Sequence, residues 1–190
     1  MKINHFAIVK TVLLIALATT FSFAQKGNEE FQAQAFGEGT QMGHTFNVTV
    51  IINEYSTDED QQVLFDAYNK AGMNGVTNAL NKMKTKGRLS ITGTLGYDVT
   101  YIRVFPTPTG RKIRLVTNRP ITFGEAWTDS RSQDFNLSAV ELDLDKDNKN
   151  KSKGQLLPLC QFKITPEKEV HVELYQNPWR LTDVIDWGKK

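Results

Sequence analysis

From residue 88 onward the chain is a succession of short apolar runs, each cut off by turn residues, and this constrains the fold more than any other feature. The runs span residues 89–94, 97–105, 111–117, 121–127, 135–144, 155–164 and 169–175. The connections between them are too short for helical crossovers, so neighbouring strands must pair antiparallel. Residues 106–110 (PTPTG) read as a rigid turn and residues 145–154 (DKDNKNKSKG) as a charged hairpin tip. Residues 179–187 read equally as a last strand or a packed tail. One further strand precedes the series: Phe46, Val48, Val50 and Ile52 alternate with Asn47, Thr49, Ile51 and Asn53, the period of a strand with one face buried.

Helical periodicity is confined to the segment between that strand and the series. Ser56 and Glu59 have capping-box spacing, with Thr57 and Asp60 as an overlapping alternative, and acids crowd the first turn, where the helix dipole favours them. Val63, Leu64, Ala67, Tyr68 and Ala71 recur at helical spacing up to Gly72. Met73, Val76, Leu80 and Met83 follow on a second amphipathic stretch that ends at Gly87. These two stretches predict a helical hairpin inserted after the first strand.

The N-terminus predicts export. Lys2 and Lys10 bracket a positively charged start, residues 11–18 form an apolar run, and Ser22 and Ala24 are small residues where a signal peptidase reads. The run is too short to span a bilayer, which takes about 20 apolar residues. Residues 1–24 are therefore expected to be a signal peptide and residues 25–43, polar and glycine-rich, a flexible leader. Residues 44–190 are expected to form a single β-rich domain, soluble after cleavage, in the periplasm or outside the cell. The chain's 23 Lys and Arg fall to 21 once Lys2 and Lys10 leave, against 21 Asp and Glu. A neutral chain lacks the basic field that drives nucleic-acid binding. Cys160 is the only cysteine, so no intrachain disulfide can form, and its strand-like setting beside Phe162 and Ile164 predicts a buried, inert thiol.

Residue types suited to catalysis are sparse. Beyond His5 in the expected signal peptide, only His44 and His171 remain, and neither stands at a metal-binding spacing. The HExxH, GxSxG, paired CxxC and phosphate-loop patterns are absent. Asp143, Asp145 and Asp147 start like a calcium loop, but the sixth position is Asn148 and the twelfth is Gly154, so the turn glycine and the bidentate acid are both missing. No metal, cofactor or catalytic group is expected. The informative constellation is charge on apolar strand faces: Tyr97, Val99, Tyr101, Arg103 and Phe105 on one, Ile121, Phe123, Glu125 and Trp127 on another. If these faces are inner ones, Arg103 with Tyr101 would hold a ligand carboxylate or phosphate, because a buried charge must be paired or given to a ligand. Tyr101, Arg103, Glu125 and Trp127 are the candidate ligand-binding residues. Two alternatives stay open: an Arg103–Glu125 structural pair, or an inner face formed by Ile102 and Val104 that leaves Arg103 wet.

A strand, a helix-turn-helix and an antiparallel meander over residues 46–175 resemble in order the fatty-acid-binding branch of the calycin barrels. That resemblance implies helices over the barrel and an arginine with a tyrosine on a lipid head, although Tyr101 and Arg103 stand in reversed order here. Residues 110–123 (GRKIRLVTNRPITF), with residues 140–145 (VELDLD) and the glycine-bearing loop after them, are similar to a group of small secreted bacterial proteins of unknown function. This second resemblance implies export and no activity.

The sequence thus predicts a β-rich α+β fold, an antiparallel barrel or sandwich with a helical hairpin. The expected function is that of an exported, non-enzymatic binder of an apolar or amphipathic, lipid-like small molecule. Its rival is an extracytoplasmic protein–protein or glycan interaction module with a solid core. A carboxylate enzyme built on Glu54 or Glu125 is a third reading, and a raised pKa at either would be its first support.

Overall fold

A computed structural model describes residues 26–121, 136–164, 170–175 and 177–189. The strands are β1 (Lys26–Phe36), β2 (Thr45–Glu54), β3 (Gly87–Ile91), β4 (Tyr97–Thr107), β5 (Gly110–Thr117), β6 (Leu137–Asp145), β7 (Lys153–Ile164), β8 (Val170–Leu174) and β9 (Trp179–Lys189), with helix α1 (Asp58–Lys82) between β2 and β3. All pairings are antiparallel. Strands β1 to β6 pair in chain order, β6 pairs with β7, β7 with β9, and β9 with β1. Eight strands thus close into a barrel, and β8 extends the wall from the second half of β7. The expected choice between barrel and sandwich resolves to the barrel, which has no free edge around its ring.

Strand β1 corrects the expectation of a flexible leader over residues 25–43. Glu29, Phe31, Ala33 and Ala35 are buried and alternate with half-buried Glu30, Gln32 and Gln34, and β1 joins the N-terminal strand β2 to the C-terminal strand β9. Two of its inward residues are alanines, which is why its period is faint in the sequence.

The barrel interior is one apolar cluster drawn from every strand of the ring, including Phe31, Ile52, Leu89, Ile102, Ile113, Leu142, Leu156 and Leu181. An eight-stranded barrel is just wide enough for such side chains to fill. A second cluster lies on the outer wall, where Leu64, Val76 and Leu80 of α1 cover Val116, Leu137, Ala139, Leu157, Cys160 and Phe162. The helix therefore packs on a face of the barrel.

The expected hairpin of two separate helices is not confirmed. Two helical arms meet without a loop where Ala71 and Gly72 leave helical geometry, with Gly72 at φ 57°, ψ −144°. Just beyond the bend the arms approach so closely that a Cβ on Gly75 would lie 2.0 Å from the Ala67 carbonyl oxygen. The Thr57–Asp60 alternative forms the capping box, and the Ser56 hydroxyl instead accepts a hydrogen bond from the Ile102 N–H. No helix among the described residues is long and apolar enough to cross a membrane.

Candidate functional site

Of the four residues singled out in the sequence, Tyr101 and Arg103 are described, and neither faces the barrel interior. The β4–β5 register shifts between Val99 and Tyr101, and this bulge reverses the parity of β4. Tyr97 and Val99 point inward before it, and Ile102 and Val104 point inward after it, so Tyr101 and Arg103 face out. Tyr101 packs in the cluster beneath α1, where burial raises its pKa to about 12. Arg103 ties the start of the helix to the wall: Nη1 donates to Asp58 Oδ1 at 2.8 Å and to the Ser56 carbonyl at 3.3 Å. This matches the alternative in which Ile102 and Val104 form the inner face and removes the inner-face premise for Arg103. Glu125 and Trp127 lie outside the described residues.

A charged pair does cross the barrel interior, on different residues. Arg111 on β5 shares its inward face with Ile113 and Leu115, and Glu29 on β1 stands on the opposite side of the ring. Arg111 donates to both oxygens of Glu29, at 2.7 and 3.4 Å, and its guanidinium lies 5.8 Å from the Phe31 ring centroid. Asp186 of β9 stands 3.5 Å from the same guanidinium. Glu29 is 2% exposed. Burial is the largest influence on Arg111 and opposes its charge, yet the hydrogen bonds to Glu29 together with the negative groups around it raise its pKa on balance. Tyr55 completes the group, its hydroxyl pushed well above the ordinary range by burial and then by the Glu29 charge. The arrangement is a polar plug at one mouth of the barrel, and its arginine is already held by two carboxylates. The signal in the sequence was there: Arg111 stands two residues before Ile113 on the face that Leu115 continues.

Glu54 lies close to the same mouth. Lys86 Nζ reaches Glu54 at 3.0 Å and Asp60 at 3.1 Å, and Lys84 reaches Glu54 at 3.1 Å. The hydrogen bond from Lys86, and then that from Lys84, hold the Glu54 carboxyl below the ordinary range, the opposite of what a general acid needs. Cys160 is fully buried and its thiol is pushed to about 12. The Asp145 carboxylate accepts from the backbone N–H groups of Asp147 and Asn148 and so closes its own turn.

A pocket-sized concavity among the described residues lies outside the barrel. Along β6 the outward positions change from Leu137 and Ala139, under the helix, to Glu141 and Asp143, which line a groove of about 460 Å³. Lys112 on β5, Lys153 and Gln155 on β7, and Arg180 and Thr182 on β9 carry the lining across four strands, with Glu38 and Pro178 contributed by connecting loops. Gly154 lies between two walls here, and a Cβ on it would stand 2.5 Å from the Glu141 carbonyl oxygen. Comparison with family models, with curated proteins and with solved structures finds no match. What this chain does must therefore be read from its own geometry.

Proposed function

We propose that this protein is a non-enzymatic interaction module of the extracytoplasmic space, a barrel that binds through its outer surface and carries no cargo inside. The observation behind this reading is the filling of the interior. A continuous apolar cluster occupies it, and the Glu29–Arg111 pair spans it from opposite walls at one mouth. The amphipathic-cargo reading relied on an inward Arg103, and that side chain is engaged outside with Asp58.

Native mass spectrometry of the processed protein, purified gently from its own host, tests the proposal. A bare protein mass is expected, with no thermal shift against a panel of fatty acids and phospholipids. A stoichiometric lipid-like mass would overturn it and restore the cargo reading.

A further inference from the structure

We propose that the outer groove across β5, β6, β7 and β9 is a binding site for an acidic oligosaccharide, a chain of sugars carrying carboxylates. This rests on the outer-surface reading above and narrows it to one site and one ligand class.

The charges of the groove are unequally committed. Glu141 is tightly engaged by Arg114, at 2.6 Å to Nη2 and 2.7 Å to Nε, contacts of charge-assisted length. The cations lining the groove are held loosely. Lys112 stands 3.7 Å from Glu141 and 3.5 Å from Asp143, and Arg180 stands 3.9 Å from Glu38. Lys153 makes no ion pair among the described residues. Three cations thus face the groove with donors to spare, while Arg114 satisfies one of its three acids from beside it.

The partner class follows from what the lining offers and what it lacks. Among the described residues no aromatic ring lines the groove itself, the Phe36 ring centroid lying 5.9 Å from the Arg180 guanidinium, and its apolar contributors are Pro178 and Leu181, the latter fully buried. Protein interfaces draw most of their affinity from aromatic and apolar anchors seated in pockets, and none is provided here. An extended peptide could instead add to a free strand edge. At Gly154 and Gln155, however, β7 is paired on both sides, to β6 and to β9. What remains is recognition by side chains: ammonium and guanidinium groups for carboxylates, Asp143 and Glu38 to accept from hydroxyls, and Gln155 and Thr182 to donate and accept. Alternating carboxylates and hydroxyls on a narrow chain match that set. The groove crosses four strands spaced about 4.8 Å apart, so its floor runs roughly 14 Å, enough for several linked rings.

The test is titration calorimetry of the processed protein with an α-1,4-linked galacturonate tetrasaccharide, against the uncharged α-1,4-linked glucose tetrasaccharide and a short poly-glutamate peptide. One-to-one binding of the acidic sugar is expected at low salt, weakening as salt screens the contacts, with neither control binding comparably. Lys153→Ser combined with Arg180→Ser should weaken it about tenfold or more, since two charge-assisted contacts are lost. Both residues are exposed, Arg180 resting its guanidinium over the Phe36 ring, and an unchanged near-UV circular dichroism spectrum would show that the variant is folded. No binding of the acidic sugar, equal binding by the variant, or comparable binding of either control would each overturn the assignment. The solid-core proposal is untouched by any of these results, because it stands or falls on the mass of the purified protein.

Discussion

At the scale of residues, the most consequential contact is the Glu29–Arg111 pair. Removing a carboxylate from water costs several kcal/mol, and only a well-placed partner compensates. Arg111 supplies two hydrogen bonds and remains one-third exposed, so it keeps part of its own hydration. Glu29→Ala should therefore destabilise the fold by about 2–4 kcal/mol, read as a lowered urea midpoint, because it leaves a half-buried guanidinium with Asp186 alone. Glu29→Leu with Arg111→Met should recover most of that loss, since an apolar pair of similar volume needs no desolvation. A double variant as unstable as the single one would mean that the charges themselves hold the mouth closed. Cys160 makes a simpler case: with its thiol pushed to about 12, it should resist alkylation at pH 8 until the protein is unfolded, and rapid native labelling would contradict its burial. The two arginines also show where reading the sequence stopped. Arg103 and Arg111 both sit in alternating apolar strands, but parity assigns a face only while the register is unbroken. The bulge after Val99 leaves no composition signal, so the sequence alone leaves both faces of β4 open to Arg103.

Among the elements, α1 depends on how its first turn is fastened. Thr57 and Asp60 cap each other, Asp58 takes Arg103, and buried Lys86 joins Asp60 to Glu54 at the end of β2. Thr57→Ala should cost about 1 kcal/mol. The Lys86 clamp also makes a pH prediction. Its hydrogen bond lowers the folded-state pKa of Glu54 below the unfolded value of 4.5. The stabilisation is therefore fully present above that value and is lost as pH falls through the lowered pKa. Unfolding midpoints measured down the acid limb should fall in the native protein and fall less in Lys86→Met; parallel limbs would show that Glu54 is not linked to folding. The bend at Gly72 should tolerate no side chain, because φ 57° with ψ −144° is a glycine-only conformation, and Gly72→Ala is expected to cost about 1–3 kcal/mol. The helical residues and the described strands from β3 to β8 were legible because each carries its period locally; the strand expected over residues 121–127 lies, beyond Ile121, outside the described residues. How the two arms of α1 meet was not legible, since a glycine between two amphipathic stretches marks an interruption without specifying its angle.

For the whole molecule, the decisive event is closure, and it depends on the least conspicuous strand. Strand β1 is flanked by β2 on one side and β9 on the other, so the barrel closes only when the first described strand meets the last. Such a pairing joins residues more than a hundred positions apart, and the chain entropy of that loop must be met before the contact stabilises anything. A single sequence shows strands and not their partners, and β1, with Ala33 and Ala35 as inward residues, scarcely showed itself as a strand. Its importance can be tested by deletion. A chain lacking residues 26–36 would lose Phe31 from the core and Glu29 from the plug, and would expose the edges of β2 and β9 together. Two free edges of this length are templates for pairing with other chains, so the truncated protein should aggregate. Supplying residues 26–36 as a separate peptide in excess should restore a monomeric species on size-exclusion chromatography, because the peptide can pair with both edges at once. A truncated chain that stays monomeric and folded without the peptide would mean that β2 and β9 close on each other directly, and that β1 only overlies a barrel already complete.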